Sequence, residues 1–239
     1  MGAALGWGAL AASSLVFGAF IGLARPWPKR MIGLVLAFGA GALISAVSFE
    51  LALEGIELAG ARVVAIGLGA GSLTYYVLDN IVERMGGRRA APSSSESDAG
   101  PALALGAFLD GIPEQLVLGI GIAAGGGVSM GLLVAIFVSN LPEAIGSTAE
   151  MHATRTSTFI VRLWVAVAVV CIVATVVGYA IADSASDRLK GGINGFAAGA
   201  LLVMLIDSMI PEARSKAGRT AGLVTTLGFA VAAGLSTVS

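Results

Sequence analysis

The order of apolar and polar positions divides this chain into eight long hydrophobic runs joined by short polar connections. The runs lie near 4–24, 31–54, 61–82, 102–123, 128–150, 159–182, 192–210 and 220–238. A helix needs about 20 mostly apolar residues to cross a bilayer. The pattern therefore predicts an all-α integral membrane protein with eight transmembrane helices, a single transmembrane domain over residues 1–239. The longest polar segment, 83–101, carries Ala-Pro-Ser-Ser-Ser-Glu-Ser-Asp at its centre, a composition that favours disorder. It separates three helices from five. The first run has no basic stretch before it, so a retained helix is expected rather than a cleaved signal peptide.

Composition strengthens that reading. The chain is 56% hydrophobic and 12% charged, with a mean hydropathy of +0.91, against about 25% charged residues in soluble domains. Its 34 glycines suit close helix packing in a membrane, as in Gly67-x-Gly69-x-Gly71. No strand precedes any of them, which excludes a phosphate-binding fingerprint. The lone Cys171 lies in an apolar run, so neither a disulfide nor a thiolate metal site follows from the sequence.

Charge sets the orientation. Arg25, Lys29, Arg30, Arg84, Arg88, Arg89, Arg155, Arg162, Arg214, Lys216 and Arg219 fall at odd-numbered connections. Only Arg62, Arg188 and Lys190 fall at even ones, a division of 11 to 3. The positive-inside rule places odd connections in the cytoplasm and both termini outside, in the plasma (inner) membrane. The basic residues form separate short clusters, which argues against a nucleic-acid partner.

A symmetry runs through the chain. Ala37-Phe38-Gly39-Ala40-Gly41-Ala42-Leu43 in the second run resembles Gly195-Phe196-Ala197-Ala198-Gly199-Ala200-Leu201 in the seventh. These helices run in opposite directions in the expected topology, the signature of an inverted repeat. The expected arrangement is a 3+2+3 bundle, with the fourth and fifth helices between the repeats.

The candidate chemistry lies in that central pair. The fourth run contains Asp110-Gly111-Ile112-Pro113-Glu114, and the fifth contains Ser139-Asn140-Leu141-Pro142-Glu143. An acid near the middle of a bilayer helix costs roughly 2.5–3.5 kcal/mol, so Asp110, Glu114 and Glu143 together cost on the order of 8–10 kcal/mol if independent. Asn-x-Pro-Glu can also begin a helix. That would leave Val128 to Ser139 rising only about 18 Å, short of a hydrocarbon core of about 30 Å, so both motifs are expected inside spans. Proline there frees a backbone carbonyl one turn earlier. Asp110 and Glu114, and likewise Ser139 and Glu143, are four apart on one helical face. Three carboxylates, a hydroxyl and an amide suit a divalent cation taking oxygen ligands. Clustered carboxylates repel, so metal binding is expected to release protons. Glu50 and Asp207 are candidate acids at the outer and inner mouths. Glu150 follows Glu143 by seven on the same face and is a candidate for the inner exit. His152, nine residues beyond Glu143, is too far along the helix to share the central site.

With these motifs the chain resembles the ZIP (Zrt/Irt-like) family of divalent metal transporters over most of its length. The family's fourth-helix pattern, His-Asn-x-Pro-Glu-Gly, is matched by Asp110-Gly111-Ile112-Pro113-Glu114-Gln115. Its bacterial fifth-helix pattern, Gln-Asn/Asp-x-Pro-Glu-Gly, is matched by Ser139-Asn140-Leu141-Pro142-Glu143-Ala144. Leu78-Asp79 and Ile210-Pro211-Glu212 are also similar to the family pattern. The resemblance implies a binuclear site between helices four and five, alternating access and a homodimer. It implies no cofactor, no enzyme activity, and a divalent ion (zinc, manganese, iron or cadmium) as substrate. The chain departs from the pattern where Asp110 replaces a histidine, Gly111 an asparagine and Ser139 an amide or histidine. In helix six, Arg162-Leu163-Trp164 stands where the family carries Glu-Pro. Two other readings stay open: a degenerate relative that binds metal or assembles without transporting, and an intramembrane aspartyl hydrolase pairing Asp110 with Asp207.

Overall fold

Inside a bilayer every backbone N–H and C=O must be satisfied within the protein, and this chain does so with helices. The structure, a computed structural model, describes residues 1–25, 27–84, 99–123, 130–183 and 185–236. The side chains of 82–84, 99–110, 150 and 183 are outside that description. The expected 83–101 connection therefore lies mostly outside the described residues.

Among the described residues there are eight continuous helical segments and no strand. They are α1 (Gly2–Ala24), then α2 (Lys29–Ala46) running through a π-helical stretch (Val47–Leu53) into α3 (Glu54–Ala59), then α4 (Ala61–Arg84), α5 (Ala99–Ala123), α6 (Met130–Met151) and α7 (Ser157–Asp183). The last two are α8 (Asp187–Met204) running through a second π-helical stretch (Leu205–Met209) into α9 (Ile210–Ala217), and α10 (Thr220–Ser236). Among the described residues, six of these segments are long and apolar enough to cross a membrane. The described apolar stretches of the other two segments are Gly111–Ala123, the later part of α5, and Thr220–Ser236.

The second and seventh segments are longer than their apolar runs suggest, each 31 residues. Hydropathy marks the stretch that suits lipid, whereas the helix continues through Glu54 and Glu57 in one case and Arg214 and Lys216 in the other. What ends each helix is glycine. Gly60 has φ +80° and Gly218 φ +65°, positions closed to most L-residues. Each donates its N–H to the carbonyl four residues earlier, Gly60 to Ile56 and Gly218 to Arg214, both at 2.8 Å.

These two long helices cross through matched contacts. A Cβ on Gly33 would lie 2.8 Å from the Ala217 nitrogen, and one on Gly191 would strike the Ala59 Cβ. Likewise Gly41 lies against the Thr225 carbonyl of α10, and Gly199 against the Leu68 carbonyl of α4. Gly33 and Gly191, Gly41 and Gly199, Val47 and Leu205, Ala59 and Ala217, and Gly60 and Gly218 all stand 158 positions apart. So α10 packs along α2 and α4 along α8. Small residues permit this backbone proximity, where dispersion contacts rather than the hydrophobic effect hold helices together.

Candidate metal site

The prolines do not break their helices. Pro113 lies inside α5 and Pro142 inside α6, so the sequence motifs sit within helical segments and not at their starts. Each proline removes one intrahelical hydrogen bond, and the surrounding bundle grips the weakened turns. A Cβ on Gly18 of α1 would come 2.7 Å from the Leu141 carbonyl, and one on Gly39 of α2 2.9 Å from the Ser139 Cα. On the other side, α5 and α7 meet through Gly119 against the Thr175 carbonyl and Gly178 against the Leu116 carbonyl.

The two motifs meet at Glu114. This side chain is only 1% exposed, and Ser139 Oγ of α6 lies 3.2 Å from its Oε1. The Glu143 carboxylate acts on it electrostatically, and Asn140 approaches the same carboxylate. Yet Asn140 Nδ2 and Glu114 Oε2 both lack a hydrogen-bond partner of good geometry. Ser139 and Asn140 are also 1% exposed, and Glu143 is half-buried. A buried carboxylate oxygen without a donor is costly. Its natural complement is a cation, and the surrounding oxygens are the ligand type of a hard or borderline divalent ion.

Of the residues singled out in the sequence, Glu114, Ser139, Asn140 and Glu143 are therefore brought together. The side chain of Asp110 lies outside the description, although its backbone is in α5, one helical turn before Glu114. The same holds for Glu150 in α6. Among the described residues, no group of three or more His, Cys, Asp and Glu side chains is arranged to hold a metal ion.

The outlying acids sit elsewhere. Glu50 lies in the first π-helical stretch, accepts a hydrogen bond from Ser236 of α10 at 2.7 Å, and leaves its Oε2 buried without a partner. Asp207 lies in the second π-helical stretch, exposed, in a groove with Ser72 and Tyr76 of α4. Stretches of π-helix often mark functional positions, and the hydropathy pattern gives no sign of them. A proton-sharing aspartate pair needs both carboxyls facing each other in a shielded place. An exposed Asp207 does not offer that, which removes support from the hydrolase reading.

Two contacts have no signature in the sequence. Thr175 of α7 donates to Gln115 Oε1 at 2.6 Å, and Trp164 Nε1 of α7 donates to Thr148 of α6 at 2.8 Å, all four side chains being buried. Trp164 stands roughly where the family resemblance leads one to expect Glu-Pro, and here it ties α7 to α6.

No family model matches the chain. Over 189 residues, 77% of its length, it is 29% identical to an Arabidopsis thaliana protein named a putative zinc transporter. The chain spans 30% of that protein's length. Six apolar segments of membrane-spanning length among the described residues point to a multi-pass membrane protein.

Proposed function

We propose that the chain is a ZIP-like transporter that carries a divalent metal ion across the plasma membrane, both termini external, by alternating access. The observation that carries this reading is the buried Glu114 carboxylate. It meets Ser139 across two proline-containing helices and keeps one oxygen unpaired. Glu114 and Glu143 clamp the ion, and Asp110, Ser139 and Asn140 complete its oxygen shell. The contacts repeating at a spacing of 158 support an inverted repeat, the architecture in which such sites lie between the halves. Glu50 and Asp207 serve the two mouths, Glu150 lines the inner exit, and the working unit is a homodimer. Zinc is the first substrate to try, because the Arabidopsis relative is named for it; manganese, iron and cadmium follow.

A second reading, metal binding or assembly without transport, has one observation on its side: the lack of a three-residue cage among the described residues. One assay separates the two. Purified protein in proteoliposomes holding a metal-sensitive dye should admit zinc or manganese, and Glu114→Gln and Glu143→Gln should abolish the signal. Metal that binds tightly to the wild type but never crosses would favour the second reading.

A further inference from the structure

Between two tightly joined helix pairs the structure leaves a slot of about 460 Å³. On one side α4 meets α8, where a Cβ on Gly71 would strike the Phe196 carbonyl. On the other α5 meets α7, where one on Gly178 would strike the Leu116 carbonyl. These four residues all line the slot, so each pair is closed to backbone contact while the space between the pairs stays open. Protein interiors hold few voids larger than a water molecule, and this one has the size of a ligand pocket between the helices of a bundle.

The lining selects what can enter. Apart from Thr74 and Tyr75 it is built from glycine, proline and hydrocarbon side chains, and the Thr74 hydroxyl is already donated to the Ala70 carbonyl at 2.8 Å. A buried water needs several polar partners, which hydrocarbon walls do not supply. The slot also runs from surface to interior. Thr74, Leu78, Ile181 and Phe196 are exposed at its rim, whereas Ile120, Ala197 and Ala200 are buried in its wall. The rim residues lie within the membrane-length apolar segments Ala61–Ile81, Ser157–Ala182 and Asp187–Ala217. The medium at the opening is therefore bilayer hydrocarbon.

We propose that this slot binds an acyl chain of a membrane phospholipid, which enters sideways past the rim and packs against Pro113. Lipid tails are as apolar as leucine, so no hydrophobic force closes the gap between the helix pairs. A chain that fills it gains dispersion contacts on every wall. Pro113 lines the slot and directly precedes Glu114. The chain thus braces the helical turn that carries the buried carboxylate. That bracing matters to uptake only under the transport reading above, whereas occupancy of the slot does not depend on it.

Proteoliposomes of phosphatidylcholine carrying a diazirine midway along one acyl chain test this by photolysis and peptide mass spectrometry. The wild type should carry lipid adducts on the buried wall, at Ile120, Ala197 or Ala200, as well as on outward positions such as Ile66. Thr74→Trp, which fills the rim, should lose the wall adducts and keep those at Ile66. Ile66→Trp, outside the slot, should keep the wall adducts. Adducts confined to outward positions in the wild type would overturn the proposal. So would a photoreactive benzoylphenylalanine at position 78 that joins two copies of the chain instead of lipid. Zinc uptake should fall in Thr74→Trp and hold in Ile66→Trp. Uptake unchanged while the wall adducts vanish would overturn the bracing of Pro113. A wild type that takes up no metal yet carries the wall adducts would bring down the transport reading and leave the lipid slot standing.

Discussion

Ser139 Oγ lies 3.2 Å from Glu114 Oε1 and 3.0 Å from the Ile136 carbonyl, so one hydroxyl hydrogen faces two acceptors. A serine has a single hydrogen to donate. Bonding to Ile136 leaves Glu114 with lone pairs unmet, and bonding to Glu114 leaves the carbonyl short. The contact joins α5 to α6 without satisfying the carboxylate. In the proposed function, that unmet demand is what a cation would fill.

Glu143→Gln should abolish metal uptake while the protein stays folded and inserted. The amide keeps the shape of the side chain and removes its charge, the property the site needs. It also lifts an insertion cost of roughly 2.5–3.5 kcal/mol, so thermal stability in detergent should hold or rise. Uptake at the wild-type rate by correctly inserted Glu143→Gln would remove this carboxylate from the site.

The glycine contacts predict a sharp contrast in stability. Gly41→Ala and Gly199→Ala drive a methyl into the Thr225 and Leu68 carbonyls. Backbone cannot move aside as a side chain can, so each should cost on the order of 1–3 kcal/mol or more. Gly69→Ala meets nothing within 4 Å and should be neutral or slightly stabilising, since alanine suits a helix better by about 1 kcal/mol. Thermal unfolding of the three variants side by side is the measurement. Equal melting temperatures would mean that the α2–α10 and α4–α8 contacts are looser than these distances require.

The helical segments and the Pro-Glu motifs are legible in the chain because apolar length and a carboxylate after proline are local properties. The π-helical stretches at Val47–Leu53 and Leu205–Met209 are not, because a shift of hydrogen-bond register leaves hydropathy unchanged. Hydropathy also places two helix ends too early, where charged residues carry the helix on to Gly60 and Gly218. Cys171 has no second cysteine to pair with, and nothing in linear order puts position 171 beside position 111. The one local signal is Gly111, which replaces the asparagine of the family pattern. It marks a place where another helix comes close.

The two glycine-ended turns give a direct test of orientation. Arg62 lies two residues after Gly60 and Arg219 directly after Gly218, and both side chains are exposed. In the inverted arrangement they lie on opposite sides of the membrane, Arg62 outside and Arg219 in the cytoplasm. The charge asymmetry of 11 to 3 assigns those sides. Single cysteines at 62 and 219 in a Cys171→Ala background should label from opposite sides with a membrane-impermeant maleimide. Labelling of both from the same side contradicts the inverted repeat, and labelling on exchanged sides reverses the orientation only.

The final prediction concerns Asp110, which stands where the ZIP pattern carries a histidine. Imidazole suits zinc, and carboxylate suits harder ions such as manganese, though zinc accepts carboxylates too. Asp110→His should therefore raise the zinc-to-manganese uptake ratio. The measurement is competitive uptake of the two metals by the wild type and Asp110→His under one set of conditions. A ratio unmoved by Asp110→His would exclude Asp110 from the ligand set. The ion would then be held by Glu114, Glu143 and their neighbours on α6.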